Sequence, residues 1–273
     1  MSQVAVIAHR QPPLIGAVLR AIGWAGLGLI AIAVALGSFA APLPPGATGA
    51  GPMLEAPSAA HPFGTDLLGR DLLSETLHAM SVTIGHALLA TVIAVLLGGF
   101  AGAVVARLPR LIAKTAREMI GVFAAAPALL LAILLIGLSV REFAPLAAGL
   151  AAAPLAFVRA FDRIDVKSTH AEYARATGIS AMTLLRRDLA YEFRGTLAQT
   201  AARALAAVTI ILSTLSFLGF GAVPPARDLG LMIAAAKTSY LYAWWTAAFP
   251  ALALLVLILC ARLAAGLGEG ERA

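Results

Sequence analysis

Long stretches without charge limit this chain more than any other feature. Val82–Ala106 holds no Asp, Glu, Lys or Arg, and it exceeds the roughly 20 apolar residues that a helix needs to cross a bilayer. Ala21–Ala41, Ile120–Leu138, Phe143–Val158, Ala204–Gly221 and Trp244–Ala265 are runs of the same kind, with at most one charge each. Only 12% of the 273 residues are charged, about half the roughly 25% typical of soluble domains. That leaves too little polar surface to cover a water-facing fold. The expectation is an all-α polytopic membrane protein with six transmembrane helices. Phe143–Val158 is the shortest span and holds Pro145 and Pro154. Pro127 and Pro250 are expected to kink spans three and six. Ala and Gly dominate the runs, which suits close helix packing in lipid.

Basic residues orient the spans. With the N-terminus inside, 16 of the 20 Lys and Arg residues lie on the cytoplasmic side, leaving Arg70, Arg141, Arg227 and Lys237 outside. Both termini are then expected in the cytoplasm, and the first span is expected to stay uncleaved. Tyr240, Tyr242, Trp244 and Trp245 fall where span six meets the outer headgroups, as an aromatic belt does. The formal charge of +6 does not indicate nucleic acid, because the basic residues are scattered through short loops and not gathered on one patch. A single cysteine, Cys260, excludes an intrachain disulfide and a cysteine metal site.

One segment breaks the pattern. Arg159–Arg203 forms the largest cytoplasmic loop and is rich in charge. Glu172–Thr177 reads as helical, Gly178 caps or breaks it, and Ser180 starts the next turn. Met182, Leu185 and Leu189 then share one helical face, with Arg186 and Arg187 directed elsewhere. A short helix with an apolar stripe fits a groove on another protein. It also fits a solvated loop packed on its own helix ends, and the pattern leaves both readings open.

The segment "EYARATG" (Glu172–Gly178) resembles the E-A-A-x-x-x-G signature of ABC-importer permeases, with Glu172, Ala174 and Gly178 matching and Tyr173 at the second position. "HPFGTDLLGRDLLS" (His61–Ser74) resembles the segment after the first span in the C-type subunit of the dipeptide, oligopeptide and nickel permease family. "LSFLGFGAVPP" (Leu215–Pro225) and "FPALAL" (Phe249–Leu254) resemble later motifs of that family, in the same order. The sequence departs from the family at Asp188–Tyr191, where H-x-L-P is usual, at Leu229, where Trp is usual, and in the reduced acidic end after the last span.

The resemblance implies a type I ABC-importer permease fold in a bacterial inner membrane. It divides the chain into residues 1–80, with the N-terminus, first helix and outer segment, and residues 81–273, the permease core with coupling loop 159–203. It implies that Glu172, Ala174, Gly178, Met182, Leu185 and Arg187 couple the chain to an ATPase. The implied partners are a homologous second permease, two ATPase subunits carrying ATP and Mg, and an extracytoplasmic binding protein. Peptides are the first substrate class implied, with nickel or a metal chelate second.

The residues themselves carry no catalytic constellation. There is no G-x-x-x-x-G-K-[ST] phosphate loop, so ATP hydrolysis by this chain is not expected, nor is a bound cofactor or metal. Intramembrane polar groups are few. His86 is either a pathway contact or a histidine at headgroup depth. Ser213, Thr214 and Ser216 either line a pathway or bond to their own helix. The outer segment Leu43–Met80 reads as a Pro/Gly/Ala linker followed by an amphipathic helix, Asp66–His78, that either lies on the membrane or contacts a binding protein, with Asp66, Arg70 and Asp71 spaced for local pairs. A secondary transporter would show broken half-helices or midplane acids, neither of which is evident, and a non-transporting scaffold is a third alternative.

Overall fold

A computed structural model describes residues 13–40, 43–105, 108–138, 144–165, 197–221 and 227–266. The helices are α1 (Pro13–Ala40), α2 (Leu72–Ala94), α3 (Phe100–Val105), α4 (Arg110–Ala125), α5 (Ala128–Leu138), α6 (Ala144–Asp165), α7 (Leu197–Phe217), α8 (Leu229–Ala235) and α9 (Trp245–Ala265). A π-helical turn, Val95–Gly99, joins α2 to α3, and a 3-10 turn, Ala236–Thr238, extends α8. Among the described residues there is no β-strand, only an isolated bridge between Thr65 and Asp71.

The core forms where small residues recur at helical spacing. Ala87, Ala90 and Ala94 line one stripe of α2, and Ala144, Ala147, Ala148, Ala151 and Ala152 line one stripe of α6. They meet Ala132 and Ile136 of α5 and Val208, Ile211, Leu212 and Leu215 of α7. Short side chains let the backbones approach. A Cβ on Gly98 would collide with the carbonyl of Ala153, and one on Gly149 would sit 2.9 Å from the Ala90 oxygen. The opposite face of α2 and its continuation, with Leu88, Leu89, Val92, Leu96 and Leu97, is exposed as a lipid-facing surface is. α1 packs on α9, where Cys260 lies against Gly26.

All-α architecture is as expected from the apolar runs, but the spans differ in detail. Four helices are long and apolar enough to cross a membrane: Ile15–Ala35, Leu72–Gly102, Ala198–Phe217 and Trp245–Ala265. The expected third span is two helices, Leu111–Ala125 and Ala128–Leu138, bent by 89°. Pro127 lies at the break, lacking an N–H and disfavouring helix at the residue before it. Counted as one, this pair makes a fifth span. The expected fourth span is α6, whose apolar part, Ala144–Val158, is short and largely enclosed by its neighbours. α6 continues through Pro154, and α9 continues through Pro250 with no break, so the expected kink in span six is not a helix interruption.

The outer segment is corrected most. Asp66–Arg70 is a turn and not the start of an amphipathic helix. Asp71 is the N-cap, accepting from the Ser74 N–H at 2.9 Å and the Ser74 hydroxyl at 2.6 Å, and α2 then runs unbroken from Leu72 into the second span. Residues 43–71 form a folded cap. Leu54 N–H donates to Asp66 O, Ala50 N–H to Gly69 O, and Thr65 N–H to Glu55 O. Gly64, at φ +76, holds the turn where a Cβ would press on the Glu55 carbonyl and the Trp245 ring.

Candidate functional site

Two structures converge at the cap end of the molecule. The first is a buried charge cluster. Arg70 Nε donates to Asp66 Oδ2 at 2.7 Å, and Asp66 Oδ1 also accepts the N–H groups of Leu68 and Arg70. Glu75, on the first turn of α2, accepts from Gly46 N–H at 2.6 Å and faces Arg227 at 3.9 Å. Burial, and then the neighbouring Arg70, hold the Arg227 pKa below its ordinary value, while Glu75 and Asp66 pull it back up. His61 Nδ1 lies 3.2 Å from Asp71 Oδ1 and 4.0 Å, through Nε2, from Glu55. The cluster fastens the cap to α2. Phe63 stacked on Phe249 at 4.1 Å, and the Trp245 indole donating to Thr65 O at 3.3 Å, fasten it to α9.

The second structure is the junction of α7 and α8. α7 ends in a Schellman cap: Gly219 N–H donates to Ser216 O, Phe220 N–H to Leu215 O, and Gly219 takes φ +89. Phe220 packs back on the core that holds Leu215, the apolar contact usual for this cap. This gives "LSFLGFG" a physical meaning as a helix stop. Asp228 then starts α8. Its Oδ1 accepts from Leu231 N–H at 2.9 Å and its Oδ2 from the Ser216 hydroxyl at 2.5 Å. Leu229 N–H donates to Thr83 Oγ1 of α2 at 3.0 Å. Asp228 therefore ties α7 to α8, and the neighbouring Leu229 N–H ties the same joint to α2.

The residues singled out in the sequence fall in two groups. Glu172, Ala174, Gly178, Met182, Leu185 and Arg187 lie outside the described residues. Ser213 and Ser216 meet α8 at Gly230, where a Cβ would strike the Ser213 carbonyl. Ser216 is committed to Asp228, the Ser213 hydroxyl is buried with no hydrogen-bond partner, and Thr214 donates to Ile210 O at 2.8 Å. His86 sits half-buried on α2. Trp245 is buried under the cap, while Tyr240, Tyr242 and Trp244 are exposed. Sequence reasoning missed Asp228, Thr83 and Glu75. The pattern Asp-x-x-Ser at Asp71 and an Asp ahead of "LGLM" were the available signals, since both are N-cap sequences.

Comparison with known proteins decides the family. The peptide transport system permease protein SapC of Haemophilus influenzae is 30% identical over 202 residues, covering 72% of this chain and 68% of SapC. The chain belongs to the peptide permease family of ABC importers. Over 222 residues the permease is also 28% identical to the glutathione transport system permease protein GsiD of Pectobacterium atrosepticum, covering 80% and 73% of the two chains. It is 26% identical over 223 residues to the di/tripeptide transport system permease protein DppC of Pseudomonas aeruginosa, covering 80% and 73%. No protein-family model matches the chain. SapC, GsiD and DppC are named for peptides or glutathione, which does not favour the nickel alternative. The permease is a membrane-embedded component of a multi-subunit transport system, which sets aside the self-sufficient transporter and the scaffold.

Proposed function

We propose that this permease translocates short peptides across a bacterial inner membrane, driven by ATP hydrolysed on partner subunits. It pairs with a second, homologous permease, receives substrate from an extracytoplasmic binding protein and exposes both termini to the cytoplasm. The observation that carries the substrate class is the relationship to SapC, GsiD and DppC, whose names specify peptides or glutathione. The lack of any phosphate-binding loop in the sequence supports a partner as the site of ATP chemistry.

Energy enters through loop 159–203. Glu172, Ala174, Gly178, Met182, Leu185 and Arg187 form the contact with the ATPase. Glycine takes backbone angles that leucine reaches only with strain, so Gly178→Leu probes that contact.

The test is uptake of an isotopically labelled tripeptide in cells lacking this gene. Uptake is lost in the deletion and restored by the wild-type chain. With Gly178→Leu or Glu172→Lys the chain still inserts, but uptake stays near the deletion level. Unchanged peptide uptake with a specific loss of nickel uptake in the deletion strain would refute the substrate class.

A further inference from the structure

α7 ends short of the level at which α9 begins. Arg203 of α7 donates to the Ala265 carbonyl of α9 at 3.2 Å, and Ala202 packs on Ala264 and Ala265. The two helices therefore share a level there. At about 1.5 Å per residue, α7 rises about 21 Å from Arg203 to its end at Phe217. By the same measure α9 covers about 30 Å between Ala265 and its start at Trp245. From that shared level α7 thus ends about 9 Å of helix rise short of the start of α9, on the apolar side of the exposed Trp244.

Irregular backbone at that depth is tolerated where it is enclosed by protein or lines water, not where it faces lipid. Yet Phe217 and Leu218 are 36% and 50% exposed, and Gly219 is exposed as well. The Schellman bonds satisfy the N–H groups of Leu218, Gly219 and Phe220. No N–H or side chain among the described residues donates to the carbonyls of Phe217 and Leu218. Lys237 adds a charge at the same turn, its ammonium 3.7 Å from the centre of the Phe217 ring, and lipid disfavours a charge there.

We propose that the Phe217–Gly219 turn lines the translocation pathway, and that the carbonyls of Phe217 and Leu218 accept amide N–H groups of a passing peptide. The peptide part rests on the function proposed above; the aqueous part does not. Backbone acceptors suit a substrate class in which the side chains vary and the amides do not. The rigid joint at Asp228 keeps this ledge in place, and the buried Ser216 serves that joint without touching substrate.

The test is thiol labelling in the assembled transporter, in permeabilised cells, with Cys260→Ala as background. Leu218→Cys and, separately, Phe217→Cys are exposed to a charged, membrane-impermeant methanethiosulfonate. Leu252→Cys is the control, since Leu252 is 55% exposed on α9 at a similar depth. Both turn positions should react about tenfold faster than Leu252→Cys, and trialanine under ATP turnover should slow them severalfold. Labelling of both turn positions no faster than Leu252→Cys, in chains that a lipophilic maleimide does modify, would overturn the pathway assignment. Fast labelling that trialanine leaves unchanged, in a transporter shown to import trialanine, would overturn the peptide contact. A transporter that imports no peptide but labels rapidly at the turn would remove the proposed substrate and leave the aqueous ledge standing.

Discussion

In the cap and the first turn of α2, Arg70, Asp71 and Glu75 are buried, and each meets a hydrogen-bond or ion-pair partner, while Asp228 is buried separately at the joint of α7 and α8, where it meets Ser216. Between α2, α5, α6 and α7 the buried residues are Ala, Ile, Leu and Val together with the hydroxyl residues Thr91, Thr209 and Ser213, and none of them is ionisable. No ionisable side chain is buried outside the cap and its junction with α7 and α8 among the described residues. The difference follows from solvent. In lipid, apolar side chains gain little from meeting one another, so close backbone packing of small residues does the holding. At the membrane edge, charges can be brought together and capped, and they fix a loop that has too little apolar surface to fix itself. One end of the molecule is therefore set by directional bonds and the other by shape.

That contrast can be broken from the charged side first. Arg70→Met removes the cation that Asp66 faces and leaves a carboxylate in a largely enclosed site. A loss of about 3–5 kcal/mol is expected, as when one partner of a buried pair is deleted. It should appear as a sharp fall in the denaturant midpoint of the purified chain. Adding Asp66→Asn should recover part of the loss, because the stranded charge disappears. A single variant as stable as the wild type would show that the cap is not held by its ion pairs.

Shape is tested next. Gly98→Val places a branched side chain against the Ala153 carbonyl and the Ala156 methyl. Overpacking of this kind costs about 1–3 kcal/mol, and α2 and α6 should separate, which a reduced yield of monodisperse chain in detergent would report. Gly99, with nothing within reach of an added Cβ, is the matched control and should accept alanine with little change.

The smallest effect is expected from a hydroxyl within the helix core. Thr91 donates to the Ala87 carbonyl of its own helix at 2.7 Å. Thr91→Val keeps the shape and loses this bond, so the change should be about 0.6 kcal/mol or less. A drop comparable to that of Arg70→Met would mean that polar bonds also hold the lipid-embedded part, and the contrast would fail.

Regular apolar periodicity was readable in the sequence. Trp244–Ala265 matches α9 to within a residue, and Pro127 marked the interruption between α4 and α5. What escaped reading was tertiary. The polar first turns of α2, with Ser74, Glu75 and His78, resemble an outside segment until the cap that covers them is known. An 89° bend depends on what each arm packs against, and Pro127 alone does not specify it. In the site, Ser216 reads as a pathway hydroxyl because Asp228 is 12 residues away, and the bond from Leu229 to Thr83 spans 146 residues. The cap motif "HPFGTDLLGRDLLS" was recognisable as a pattern, but its role as a clamp on α2 and α9 emerges only from the bonds made by Thr65, Asp66 and Asp71.

The central claim is that this chain passes peptides through the membrane with energy supplied by other subunits. It is tested most directly by reconstituting the chain with its partner permease, ATPase subunits and binding protein in liposomes and following a labelled tripeptide. The account predicts accumulation inside the liposomes that needs ATP and Mg, and that vanishes when either this chain or the ATPase is omitted. ATP-dependent accumulation that persists without this chain, or peptide accumulation by this chain alone without ATP, would contradict it.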